Sequence, residues 1–163
     1  MRTLVTGATG RIGSRLVPRL LAAGPVRVVV RDVERAGRYW NLGCDLVLGD
    51  LREPEVVSRA VAGMDAVVHL ATEEVAERLA RAAVDAGVTR FVVASANLDE
   101  PLSGTERALL DLYHEVGLGV RIVRLAFVDD ADGALRLALA AGGADGRVFT
   151  AAEVYAAQAA GAF

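Results

Sequence analysis

The chain has 163 residues, 53% of them hydrophobic and 24% charged, with a formal net charge of −3. That size and apolar content suit one packed domain without a disulfide or metal staple, and they exclude a disordered or collagen-like chain. The 18 basic residues, all arginine, are outnumbered by 21 acidic ones, so there is no positive surplus for nucleic acid, and the lack of lysine excludes a Schiff base, a Walker-A loop and a catalytic ammonium.

Strands are expected at Thr3–Thr6, Val26–Val30, Leu46–Leu48, Ala66–Leu70, Phe91–Ala94 and Val120–Leu125. These runs are nearly continuously apolar, as in parallel strands covered on both faces. Helices are expected over 11–23, weakly and briefly after Val33, then over 53–62, 73–86 and 104–116. Val75, Leu79, Ala82 and Ala86 share one face of the fourth; Leu109, Leu112, Tyr113 and Val116 share one face of the fifth. Pro54 suits a helical first turn, and Gly24, Gly63, Gly87 and Gly117 sit where helices should stop. Pro18 predicts a local kink in the first helix. Residues 127–163 form a short C-terminal extension: a helix near 134–141, a strand at Arg147–Phe149, and a last helix holding Val154 and Tyr155. Alternating β and α predicts an α/β fold, a doubly wound parallel sheet in one domain over 1–163 with a truncated C-terminal part.

Cys44 is the only cysteine, so no internal disulfide forms, and with only His69 and His114 no zinc site is expected. No apolar run reaches the length of a membrane span, and the N-terminus does not read as a secretory signal. A cytoplasmic protein with no membrane partner is the expectation.

Thr6-Gly7-Ala8-Thr9-Gly10-Arg11-Ile12-Gly13 follows the first strand and opens the first helix. The first glycine permits a tight turn, the second lets a pyrophosphate approach the backbone, and the third lets helix pack on strand. The N–H groups of the helix start then face the phosphates. This is the context a dinucleotide-binding Rossmann loop requires, with Gly7, Thr9, Gly10, Arg11, Ile12 and Gly13 as cofactor residues. The second strand ends in Arg31-Asp32. An arginine there accommodates the 2′-phosphate of NADP, whereas an acidic residue accepts the ribose hydroxyls of NAD. Arg31, helped by Arg11, favours NADP, with NAD as the alternative if Asp32 reaches the ribose instead. Asp50 and Leu51, after the third strand, would hold the adenine by its amino group and its face, although Asp50 could equally cap the helix that follows. Leu70, Ala71 and Thr72 end the fourth strand, where small Ala71 admits the nicotinamide ribose. His69 reads as a hydrogen-bonded core residue and Cys44 as packing.

Together these residues resemble the short-chain dehydrogenase/reductase superfamily. The glycine loop, Gly49-Asp50-Leu51 and Asp65–Ala71 look like its extended and atypical branches, and Val28–Asp32 looks like the NADP-preferring NmrA-like and biliverdin/flavin-reductase-like members. The resemblance covers about residues 1–126; Arg147–Ala157 faintly resembles a late segment near the substrate pocket. It implies an active-site serine at Ser95, with Asn97 and Asp99 on the following loop as further catalytic candidates. The superfamily's Tyr-x-x-x-Lys pair is absent: Ser103 and Arg107 stand in its place. Arg107 keeps a positive charge for the nicotinamide ribose but not the ammonium geometry. Tyr113 lies too far along its helix to substitute, and Tyr155, Asp129 and Asp130 are further candidates.

Three functions follow. The first is an NADP(H)-dependent reductase of a small or planar conjugated molecule, with solvent supplying the proton. The second is a non-catalytic NAD(P)-binding sensor or partner protein. The third is a non-redox cyclase, dehydratase or isomerase using Ser95, Asp99 or Asp129. The resemblance also implies a homodimer through the fourth and fifth helices, anchored by Leu109, Leu112 and Tyr113 if these are not buried within one subunit.

Overall fold

The computed structural model describes residues 1–98, 101–126, 131–140 and 145–161. They form a seven-stranded sheet, β1 (Thr3–Thr6), β2 (Val26–Val30), β3 (Asp45–Leu48), β4 (Ala66–His69), β5 (Arg90–Ser95), β6 (Gly119–Arg124) and β7 (Arg147–Thr150). The order is β3-β2-β1-β4-β5-β6-β7, and every neighbouring pair is parallel. Helices α1 (Gly13–Leu21), α2 (Val33–Asn41), α3 (Pro54–Val61), α4 (Ala76–Asp85), α5 (Gly104–Val116) and α6 (Ala131–Ala140) make the crossovers, and α7 (Ala151–Ala159) follows β7.

The sheet is buried on both faces because its strands alternate between two apolar cores. Leu4, Val67, Phe91 and Ile122 meet α3, α4 and α5; Val5, Val28, Val68, Val92 and Val123 meet α1 and α6. Their unbroken apolar sequence is what this double coverage demands. The chain winds outward from β1 to β3, then returns to place β4 on β1's other side. A crevice therefore opens between the carboxyl ends of β1 and β4, where open α/β sheets bind ligands.

Several elements differ in detail from the sequence reading. α2 is a full nine-residue helix, capped by Asp32, whose carboxylate accepts the Glu34 N–H at 2.8 Å. Asp32 is thus spent on the helix start. α1 runs through Pro18 without interruption. The segment 73–86 divides into a short 3₁₀ turn at Glu73–Val75 and then α4. Leu109 and Leu112 are buried within the subunit, so they cannot anchor a dimer. Among the described residues no helix is long and apolar enough to cross a membrane.

Candidate functional site: a nucleotide cleft

Three glycines shape the loop after β1 for three different reasons. Gly7 has φ +66°, and a Cβ there would lie 2.7 Å from the Leu70 carbonyl carbon. Gly13 packs so closely that a Cβ would lie 2.5 Å from Ala8 Cα. Gly10 differs from both: its Cβ would meet only the Gly7 carbonyl oxygen, at 3.2 Å, so its open side faces the crevice. The Gly10 N–H is spent on the Gly7 carbonyl at 3.0 Å, which tightens the turn. Among the described residues no side chain caps the start of α1; the Ser14 and Arg15 N–H groups are spent on the Gly10 and Ile12 carbonyls, which leaves those of Arg11, Ile12 and Gly13 to an incoming anion.

The crevice is a cleft of about 360 Å³. It brings together Gly7, Thr9, Gly10, Arg31, Asp50, Leu51, Leu70, Ala71 and Thr72, all expected from the sequence, with Val29, Val30, Gly49, Arg52, Glu74 and Val75. Arg11, Ile12 and Gly13 belong to the loop but do not line the cleft. Arg107 does not line it either; it is exposed on α5.

The electrostatics at the β2–β3 end distinguish the charges. Asp50 accepts from the Arg52 backbone N–H at 2.9 Å and from its guanidinium at 3.1 Å. These bonds, with Arg31 contributing at longer range, hold the Asp50 carboxyl below the usual carboxylate range. Arg52 was missed by the sequence reading, although it adjoins the acid it neutralises. Among the described residues Arg31 makes no hydrogen bond or ion pair, so a cation at the tip of β2 is left facing the cleft. Tyr39 was missed too. Its buried hydroxyl donates to the Ala8 carbonyl at 2.6 Å and ties α2 to the phosphate loop. A tyrosine in the last turns of an amphipathic nine-residue helix reads as core, and nothing in the pattern points its hydroxyl at the loop.

Ser95 and Asn97 stand at the carboxyl end of β5, in a polar network that the sequence did not announce. Arg124, opposite Ser95 in register, donates from Nε to Glu106 Oε1 at 3.0 Å and from a terminal nitrogen to Oε2 at 2.8 Å. Asn97 and the Ser103 backbone N–H each donate to the same carboxylate at 2.9 Å, and the Ser95 hydroxyl also bonds to it. Burial pushes the Glu106 carboxyl up, but these donors outweigh it and hold the group well below the usual carboxylate range. Ser95 is 3% exposed. Ser103 is the N-cap of α5 and forms a capping box with Glu106. Glu106 is buried, whereas Arg107, the next residue on the helix, is exposed. Asp99, Asp129 and Asp130 lie outside the described residues. Tyr155 is half-buried on α7, against the core that holds α1 and α6.

Residues 7–116 match the family model described as NAD(P)H-binding. A (4-alkanoyl-5-oxo-2,5-dihydrofuran-3-yl)methyl phosphate reductase of Streptomyces griseus is 41% identical over 92 residues, covering 55% of this chain and 32% of the relative. An NAD(P)H azoreductase of Xenophilus azovorans is 39% identical over 98 residues, covering 56% and 34%. The triphenylmethane reductase of Citrobacter sp., solved with NADP(H), superposes with a TM-score of 0.67 at 25% identity over 80% of this chain and 51% of its own. The chain thus spans about a third of these curated relatives' length. A parallel sheet with its glycine loop at the switch point, matched by that family model across most of its length, makes this chain a member of the NAD(P)H-binding family, on the atypical branch of the short-chain dehydrogenase/reductase superfamily.

Proposed function

We propose that the chain is an NADP(H)-dependent reductase of small or planar conjugated molecules. The observation that carries the cofactor choice is Arg31, a guanidinium on the cleft wall with no partner among the described residues, beside an Asp50 whose charge Arg52 already balances. A 2′-phosphate is the anion such a group recognises. The residues fit the cofactor: Gly10 leaves room for a pyrophosphate, the start of α1 supplies donors, and Leu51 with Val75 offers apolar faces for adenine. Ala71 and Thr72 flank the place for the nicotinamide ribose. When bound, the nicotinamide supplies the hydride. The chain's own residues orient it, and the product's proton comes from solvent, which the open cleft admits. The azoreductase and the triphenylmethane reductase support a planar conjugated acceptor by their names. The test is NADPH oxidation against a panel of quinones, azo dyes and enones; steady turnover is expected.

Arg31→Ala should weaken NADPH binding by about 10- to 100-fold, the worth of one lost charge-assisted contact, and leave NADH nearly unchanged. Calorimetric titration with both cofactors checks this, and equal losses would reassign Arg31.

A second reading, a non-catalytic NADP(H)-binding sensor or partner, is favoured by one observation. Where the superfamily pattern puts its tyrosine and lysine, this chain has a helix cap and a surface arginine. Tight NADPH binding without turnover on the acceptor panel would favour this second reading, and Ser95→Ala asks only whether Ser95 serves the first. A substrate carbonyl held by Ser95 would cost about tenfold in turnover when the hydroxyl is lost, whereas unchanged turnover assigns Ser95 to the scaffold. We also propose a homodimer through the outer side of α4 and α5. Half-buried Tyr113 and exposed Val116 support it in place of Leu109 and Leu112, and light scattering should return twice the subunit mass.

A further inference from the structure

His69 ends β4 at 1% exposure, directly beneath the cleft wall but not lining it. Both of its ring nitrogens have partners. Nδ1 lies 2.8 Å from Thr6 Oγ1, and Nε2 lies 3.1 Å from the Thr72 carbonyl oxygen. A carbonyl can only accept, so Nε2 carries the proton. In a neutral ring Nδ1 is then bare, and the Thr6 hydroxyl donates to it. Burial keeps the ring neutral by holding its pKa down at about 4. Phe91 stacks against it with ring centroids 6.3 Å apart.

The two partners sit on opposite sides of the switch point. Thr6 is the last residue of β1 and precedes Gly7 of the phosphate loop. Thr72 closes the Leu70–Thr72 wall. Thr6 and His69 are register partners, and the Leu70 N–H donates to the Thr6 carbonyl at 3.2 Å. Loop and wall touch without slack, since a Cβ on Gly7 would come within 2.9 Å of the Ala71 nitrogen. Any movement of the wall is therefore felt by the loop.

We propose that His69 is a positioning residue of the nucleotide site: as its Nε2–H tautomer it fixes the Thr72 carbonyl against the end of β1 and so sets the spacing between the phosphate loop and the wall for the nicotinamide ribose. This rests on the nucleotide-binding reading of the cleft. The competing explanation is that the ring fills space. A space-filling role is served by any side chain of suitable volume, but a positioning role needs a donor at the place of Nε2. Glutamine puts an amide nitrogen near that place. Asparagine is shorter and reaches only the place of Nδ1.

The experiment titrates the wild type, His69→Gln and His69→Asn with NADPH, with nucleotide-free melting curves alongside. His69→Gln should bind within about threefold of the wild type, and His69→Asn should bind about tenfold or more weakly, the worth of one buried hydrogen bond. Equal affinities for the two variants, both retained or both lost, would overturn the proposal. Two-bond ¹H–¹⁵N spectra of the nucleotide-free wild type read the tautomer directly, and a proton on Nδ1 would overturn it whatever the titrations gave. A wild type with the expected tautomer that binds neither NADPH nor NADH would instead overturn the nucleotide-binding reading itself, and the role of His69 with it.

Discussion

Glu106→Leu should cost about 3–5 kcal/mol of stability, the usual effect of breaking a buried ion pair from one side. Arg124 is 5% exposed, and it donates twice to the Glu106 carboxylate. Removing the acid breaks both of its charge-assisted bonds to the Arg124 guanidinium. It also releases the Asn97 amide, the Ser103 N–H and the Ser95 hydroxyl. A typical domain has about 5–15 kcal/mol in hand, so the loss is a large part of the total. Urea unfolding measures it. The double variant Glu106→Leu with Arg124→Met should recover much of the loss, because replacing a whole buried pair with apolar groups is often nearly neutral. A single variant within about 1 kcal/mol of the wild type, on the order of a surface change, would show that the pair is not a structural clamp.

The acid limb of the stability curve carries the same signature. Glu106 has a depressed folded pKa, so its contribution is complete above the ordinary carboxylate value and is lost as pH falls through the lower folded value. His69 acts earlier. Its pKa falls from 6.5 to about 4 on folding, so between those values the unfolded chain binds the extra proton and stability declines as pH drops, by about 3 kcal/mol in all. Denaturant titrations should show this first decline beginning near pH 6.5.

The cofactor half was legible because its constraints are local. A turn with positive φ at Gly7, a close helix–strand contact at Gly13 and an open approach at Gly10 are each satisfied by glycine, at a spacing fixed by one loop. The alternation of strands and helices pointed to the sheet for a similar reason, since each strand's apolar run records burial on both faces. The far side of the fold was less legible because its polar residues are paired across long separations. Glu106 and Arg124 meet only when α5 lies on β6, and Tyr39 reaches Ala8 only when α2 packs on β2 and β3 beside the phosphate loop. One local signal ran against the family pattern. Ser103-x-x-Glu106 is a capping box in its own right, and it spends residue 103 on the helix start while Arg107 is exposed. Thr150-x-x-Glu153 caps α7 in the same way.

Gly10→Val should abolish binding of both NADPH and NADH, by at least about a hundredfold, while the protein stays folded. The contrast with its neighbours makes this decisive. A Cβ on Gly7 or Gly13 would lie within 2.7 Å of backbone that cannot move aside, and Gly7 also needs its positive φ. Substitution at either position should unfold the loop and lower the melting temperature, so lost binding there would say nothing specific about a ligand. At Gly10 the only near atom is the Gly7 carbonyl oxygen, at 3.2 Å, and the backbone asks for no positive φ. A small adjustment accommodates the first carbon, and the remaining methyls project into the cleft where the pyrophosphate must approach. Gly10→Ala should be intermediate, folding like the wild type and binding more weakly. Calorimetric titration beside a nucleotide-free melt separates the two effects. A folded Gly10→Val protein that still binds NADPH with wild-type affinity would place the phosphates elsewhere than over this loop, and the assignment of the cleft would have to be rebuilt from Arg31 alone.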